Sequence, residues 1–407
     1  MSVVAIIEPR SSGAELIVRA RELGHTVLVL TGGSGARTIP ERQLAHAHRV
    51  VRADTDDAAA VTALLGALHE EQPLNAVLPG FEHYVPLAAR AAAALGLPGI
   101  DPGSVDGLRY KHLMRRAVAT AGLDQPAFRA ASSERALAAA YAELGPHCVV
   151  KPVDQSGSLG VRKVSTAAEA LAAFRQALRP GGRSGPGGLR LALVEEYVQG
   201  PEYSVEGYAE GDRIHVLGIT EKVLGLEPHF VEVGHIVPAQ LPPSPAREIE
   251  EYITGVARAL GLGLGPFHAE LRMTERGPLL MEIAARLPGD RIPDLLRLAK
   301  GVDLYEIMLR AHLGQPNPQP RPAPGGGRAG IRYFLRPGLR GYQDFRVDPL
   351  LESDPRVREI GVLLPPGTEL PDPGSSAGRL GYVLAAGDSY DETAGLLRLA
   401  DTSVTFS

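Results

Sequence analysis

Along the first hundred residues, apolar runs alternate with amphipathic stretches. "VVAII" (3–7), "HTVLVL" (25–30) and "NAVLP" (75–79) are almost wholly apolar, whereas residues 12–23, 56–70 and 84–95 follow helical patterns. That alternation predicts βαβ units on a parallel sheet. "DPGSVDGLRYKHLMRRAVATAGLDQP" predicts a helix from near Ser104 to Gly122, at a domain boundary.

From residue 126 the pattern changes. "PAFRA", "HCVVKPV" and "GVRKVS" read as strands, with a helix between the first two and the loop "DQSGSL" between the last two. A helix over 166–179 precedes "RPGGRSGPGGLR", a flexible surface excursion. "LALVEEYV", "EYSVEGYAE", "RIHVLGIT" and "HFVEVGHIVPA" predict a largely antiparallel meander, followed by a helix over 245–260 and a strand pair over 264–287. "GQPNPQPRPAPGGGR" reads as a linker, and the remaining residues as a small α/β lobe.

The strand pair carries the most informative chemistry. If it is a hairpin symmetric about Arg276, Glu270 and Glu282 face each other, about 5 Å apart at Cβ. His268, Arg272, Ala284 and Arg286 share that face. The other face is apolar: Phe267, Ala269, Leu271 and Met273, with Met281, Ile283 and Ala285. Opposed carboxylates repel, and one has its pKa raised unless a cation lies between them. Two readings fit: an exposed polar face with Glu–Arg cross-strand pairs, or oxygen ligands for a hard metal beside substrate phosphates. In the second, Arg286 binds an anion and Ala284 keeps the floor of the site low.

Composition narrows the classes. A 44% hydrophobic and 22% charged chain of 407 residues is ordinary globular material, long enough for two or three domains. The net charge of −5 gives no electrostatic reason to expect nucleic acid or an acidic membrane surface. Cys148 is the only cysteine, so no internal disulfide forms, and no apolar run approaches the length of a membrane span. A soluble, cytoplasmic protein is expected. Of 42 basic residues only Lys111, Lys151, Lys163, Lys222 and Lys300 are lysines. In so arginine-biased a chain, each lysine has a raised expectation of being needed as one.

"VVKPVDQSGSLGVRKV" places Lys151 at a strand end before a loop with Ser156, Gly157, Ser158 and Gly160. Its backbone N–H groups suit phosphate, although an ordinary hairpin turn reads the same way. "LVEEYVQGPEYSVEGY" follows a strand with Glu195 and Glu196, then Val198, a Gly-Pro turn and Glu202, which reads as a nucleotide hinge or as a solvent-facing acidic turn. A nicotinamide fingerprint is missing after the first strand, where "EPRSSG" stands.

Taken in order, Lys111, Lys151 with its loop, Glu195 to Glu202, Lys222, Glu270, Glu282 and Arg286 resemble the ATP-grasp superfamily of carboxylate–amine ligases. "PGFEHYVPLAARAAAALGLPG", "HFVEVGHIVPAQLP", "MEIAARLPGD" and "GRLGYVLAAGDS" look like its L-amino acid ligase, dipeptide-forming branch. The resemblance implies a mixed α/β and α+β fold. A Rossmann-like domain (1–105) would precede an ATP-grasp core (106–313), made of a nucleotide lobe over about 125–198 and a metal/substrate lobe over about 199–313. A linker (314–329) and a C-terminal α/β lobe (330–407) would follow.

By the same resemblance, Lys111, Lys151, Ser156, Gly157, Ser158 and Gly160 hold ATP. Glu195 belongs to the nucleotide site, Glu196 and Val198 give backbone contacts to adenine, Glu202 takes the ribose and Lys222 the γ-phosphate. Glu270 and Glu282 bind Mg²⁺, with Mn²⁺ an alternative. Glu82, Glu232, His235, Arg286 and Gly289 surround the substrate, and Arg286, Glu282 and His235 carry the chemistry. Ala284 departs from the superfamily's usual Asn, which puts a second metal in doubt. The implied reaction joins a carboxylate and an amine, both small molecules such as L-amino acids, through an acyl-phosphate with release of ADP and phosphate. Neither nucleic acid nor membrane is an expected partner, and a homodimer is compatible. The rival readings are a carboxylase acting through carboxyphosphate and an inactive nucleotide-binding regulator.

Overall fold

Four strands at the N-terminus pair in parallel, in the order Arg49–Arg52, Thr26–Thr31, Val3–Ile7, Ala76–Pro79. Val4 and Ile6 pack to one side, Val3, Ala5 and Ile7 to the other, so apolar side chains on both faces are buried. The edge strand "RVVR" gives no such signal, because its residues are largely exposed. The computed structural model describes residues 1–33, 39–179, 189–225, 231–317, 327–371 and 375–407. Most of the glycine-rich excursion after residue 179, residues 318–326 of the linker and the start of "HFVEVGHIVPA" lie outside them.

The first turn of the helix Ser12–Glu22 and the loop leaving Ala76–Pro79 meet backbone to backbone. A Cβ on Gly13 would lie 1.8 Å from the Gly80 carbonyl oxygen, so only glycine permits the approach. The crevice at the carboxyl ends of adjacent parallel strands is where open α/β sheets bind ligands.

The expected helix near Ser104 begins instead at Lys111 and runs as Lys111–Thr120. Gly103 and Gly107 disfavour a helix upstream, and three-residue turns such as Gly107 N–H to Ser104 O, 3.0 Å, replace it. The shift places Lys111 on the first turn, with Arg115 one turn later.

A four-stranded antiparallel sheet, ordered Phe128–Ala131, Ala192–Glu196, Cys148–Pro152, Arg162–Val164, has its own core with helices Glu134–Leu144 and Ala167–Ala177. An eight-stranded sheet faces it across a cleft. Its order is Gly277–Ala284, Leu264–Thr274, Glu202–Glu210, Arg213–Leu224, Glu232–Val237, Arg328–Phe334, Gly381–Gly387, Val357–Val362. The strands of the expected C-terminal α/β lobe therefore extend the central sheet. The Pro/Gly stretch interrupts the sequence pattern, yet Arg328–Phe334 pairs directly with Glu232–Val237. Helices Ile292–Lys300 and Leu304–His312 share one core with Val4, Ile6 and Leu16 of the N-terminal domain and with Ile331 and Leu384 of this sheet.

Glu270 does pair with Glu282, and His268 with Ala284. The hairpin is not symmetric about Arg276, however. Thr274 pairs with Gly277 and Leu271 with Leu280, and a bulge next to Glu270 absorbs one extra residue. The bulge corrects the facing of Met281, which was expected on the apolar side. Leu280 enters the core and Met281 lines the cleft.

Fully buried Arg115 fixes that bulge. It donates to the carbonyls of Leu280 (2.7 Å) and Met281 (3.1 Å) and to the Glu195 carboxylate (2.7 and 3.2 Å). One guanidinium thus joins the helix Lys111–Thr120, the four-stranded antiparallel sheet and the hairpin. Replacing Arg115 with Met should cost about 3–5 kcal/mol, because it strands a buried carboxylate. Urea denaturation of the two proteins measures the loss, and a change under about 1 kcal/mol would mean that Lys151 alone satisfies Glu195.

Candidate active site

The cleft contains two adjoining cavities. The first lies between the two sheets. All the expected nucleotide ligands line it except Gly160, which sits beside Pro152, and Lys222, which lines the second cavity. In the loop after Cys148–Pro152, Gly157, Ser158 and Gly160 have φ of 63°, 59° and 77°. Left-handed residues close together turn backbone N–H groups to one side, a conformation suited to an anion.

The lysines and carboxylates of the cleft are paired with one another. Lys151 contacts Glu195 at 2.7 Å. Burial alone would raise the Glu195 carboxyl, but Arg115 and Lys151 hold it at about 2. Lys111 reaches the Gln155 carbonyl (2.6 Å) and Glu282 (2.8 Å). Lys222 lies 2.7, 2.8 and 2.9 Å from Glu202, Glu232 and Glu270. Burial favours a neutral amine there, but the three carboxylates outweigh it and push the Lys222 pKa well up. Glu196 pairs with Arg276, while the Val198 carbonyl accepts from Arg272 at 2.6 Å.

The expected repulsion between the opposed carboxylates is relieved by separate cations: Glu282 has Lys111, and Glu270 has Lys222 and His268. Burial opposes ionisation of Glu270, yet those two cations keep its pKa well below the usual range. His268 bridges Glu206 (3.0 Å) and Glu270 (3.2 Å). Burial lowers its pKa, but the two carboxylates raise it to about 9. An imidazolium thus lies across from Ala284.

Arg286, Glu270, Glu82 and Glu232 line both cavities. In the second, Arg286 binds Glu82 through Nε (3.0 Å) and a terminal nitrogen (2.7 Å). Burial would raise Glu82, whereas Arg286, Arg109 and Lys111 hold it at about 2. Glu232 and His235 are three apart on one strand and would ordinarily face opposite ways. A register shift, in which Val223 pairs with Gly234 and Leu224 with Glu232, brings both to the cavity. His235 Nε2 lies 3.0 Å from Asp290, and Gly289 lines the wall beside it. The sequence reading missed Arg109, Arg115, Asp290 and Arg379. Arg115 was findable, because it lies one helical turn beyond Lys111. Arg379 was not, since its partners Glu232 and Asp290 are far away in sequence.

Among the described residues no helix is long and apolar enough to cross a membrane.

His268 predicts a pH dependence of stability. Its folded pKa lies above the usual 6.5, so its contribution is complete below about 6.5 and is lost as pH rises through about 9. Denaturation in EDTA should show stability declining across that window by on the order of 3 kcal/mol, and His268→Gln should flatten the decline. An equal slope in both proteins would assign the titration elsewhere.

Comparison with known proteins identifies the family. Residues 17–99 match the ATP-grasp N-terminal domain, 144–294 an ATP-grasp domain and 346–407 the L-amino acid ligase C-terminal domain 2. The uncharacterized protein y4rH of Sinorhizobium fredii is 29% identical over all of this chain and 83% of its own length. The formate-dependent phosphoribosylglycinamide formyltransferase of Burkholderia cenocepacia is 30% identical over 75% of this chain and 73% of its own. The alanine–anticapsin ligase of Bacillus subtilis is 26% identical over 58% and 53%. In structure, the L-amino acid ligase of Bacillus licheniformis superposes with a TM-score of 0.83 at 24% identity, covering 100% of this chain and 98% of that one. The chain belongs to the ATP-grasp superfamily of ATP-using ligases, and it ends in an L-amino acid ligase C-terminal domain.

Proposed function

We propose that this enzyme forms an amide bond between an L-amino acid, or a related carboxylate, and a second amino acid through an acyl-phosphate. The observation that carries the reading is the pair of adjoining cavities sharing Arg286 and Glu270. A phosphoryl donor in the first and a carboxylate in the second would meet at those side chains. The L-amino acid ligase match at the C-terminus and the likeness to the alanine–anticapsin ligase support amino acids as substrates.

In this reading Lys111, Lys151 and the loop with Ser156, Gly157, Ser158 and Gly160 bind the phosphates of ATP. The backbone at Glu196 and Val198 borders adenine, and Glu202 takes the ribose. Glu195 acts one step back, holding Lys151, and Lys222 holds the acidic cluster on the γ-phosphate side. Glu270 and Glu282 offer oxygen donors that already attract cationic side chains, which suits a hard divalent cation such as Mg²⁺ or Mn²⁺. When bound, that ion neutralises phosphate charge as a Lewis acid.

Arg286 would turn from Glu82 toward the transferring phosphoryl group and then the tetrahedral oxyanion, a fixed cation where charge develops. Glu82 provides a counter-charge for the substrate ammonium, and Glu232, His235 and Gly289 shape the pocket around the acyl group and amine. The Gly/Ser loop would exclude water that otherwise hydrolyses the acyl-phosphate.

Phosphate release on pairs of L-amino acids, with mass spectrometry of the products, tests the reading. ADP formation with bicarbonate but with no amino acid would replace it by a carboxylase. Glu282→Ala should lower turnover about 10³-fold, the worth of several kcal/mol of charge stabilisation. Substantial residual ligation would remove Glu282 from the metal. Arg286→Ala should leave ATP affinity intact and cut ligation about 10²- to 10³-fold. Loss of nucleotide binding in that variant would give Arg286 a different role.

A further inference from the structure

The turn after Gly277–Ala284 delivers Arg286 and Gly289 to the substrate cavity. It ends in two consecutive non-glycine residues in the left-handed region, Asp290 at φ 54° and Arg291 at φ 62°. Such residues cost roughly 1–3 kcal/mol each and persist only where their surroundings hold them.

Both are held from the C-terminal strands, and Arg291 also donates to Asp294 on the helix that follows, at 2.5 Å. Arg379 grips Asp290 with two bonds, 2.7 and 2.9 Å, and also reaches the Glu232 carboxylate at 3.2 Å. It is 4% exposed and lies 4.2 Å over the Tyr333 ring. Arg291 is gripped by Glu359 through two bonds, 3.0 and 2.9 Å, and donates to the Tyr382 hydroxyl at 2.8 Å. Glu359 and Tyr382 lie on Val357–Val362 and Gly381–Gly387, the last two strands of the central sheet, and Arg379 lies two residues before the second. Asp290 in turn accepts from His235 Nε2, so its placement fixes the tautomer and the ring of a pocket residue.

We infer that the C-terminal strands clamp the reaction-centre turn, with Arg379, Glu359 and Tyr382 as positioning residues that hold Asp290 and Arg291 in strained backbone and so set Arg286, Gly289 and His235. The clamp rests on the ligase reading for its catalytic consequence, not for its geometry. Arg379, Glu359 and Tyr382 do not line the cavity, so the clamp gives the C-terminal domain a role in the chemistry at one remove.

Glu359→Ala is the discriminating variant, because its half-exposed side chain can be removed without stranding a buried charge. Hydrogen–deuterium exchange on the full chain should show faster exchange in the peptide spanning residues 286–292 and little change in the nucleotide-side sheet. The kcat for ligation should fall about ten- to a hundredfold, with ATP affinity unchanged. Adding Arg291→Gly should restore kcat to within about threefold of wild type, since glycine takes positive φ without a Cβ penalty. Unchanged exchange in Glu359→Ala would overturn the clamp, and so would a loss of kcat that glycine fails to rescue. Should wild type ligate no amino acid pair, the ligase reading falls, and the exchange measurement alone still decides the clamp.

Discussion

One ammonium on four neighbouring strands sets the frame of the site. Lys222 projects from Arg213–Leu224 and contacts Glu202, Glu270 and Glu232, which sit on Glu202–Glu210, Leu264–Thr274 and Glu232–Val237. Three carboxylates this close, within a largely buried cluster, would repel without it. With it they connect the two cavities, Glu202 lining the first and Glu232 and Glu270 lining both. Arg272 on Glu202, His268 on Glu270 and Arg379 on Glu232 then spread the compensation outward.

Charge compensation also explains how the site can change partners. Each proposed phosphate-binding or oxyanion-binding cation contacts a carboxylate: Lys151 with Glu195, Lys111 with Glu282, Arg286 with Glu82. A phosphate or oxyanion competes with a carboxylate that is already ordered, so binding exchanges one ion pair for another and frees a carboxylate to take a new counter-charge. Glu195 is the exception. Its second cation, Arg115, is fully buried and tied to the hairpin backbone, so that pair belongs to the framework.

Much of this was legible along the chain. The apolar runs located three of the four parallel strands, and the pairing of Glu270 with Glu282 followed from two strands around one turn. Scarcity made the lysines conspicuous, and Lys111, Lys151 and Lys222 all reach the cleft. What failed did so locally and for identifiable reasons. A bulge turned Met281 to the cavity, and periodicity has no term for an inserted residue. A second bulge put Glu232 and His235 on one side despite odd spacing. Glycines moved the start of a helix to Lys111, which fixed where that lysine points.

The sequence by itself determined the chemistry available: which acids, cations and glycine-bearing loops exist, and which neighbours each strand keeps within reach. Those are properties of composition and short-range period, carried by covalent geometry alone. Tertiary structure alone decided who compensates whom. Arg379 meets Asp290 and Glu232, and Arg291 meets Glu359, only because Arg328–Phe334 and Gly381–Gly387 continue the central sheet past a Pro/Gly stretch. Ion pairing depends on distance in space, and residues so far apart in the chain leave no mark of it in a local pattern.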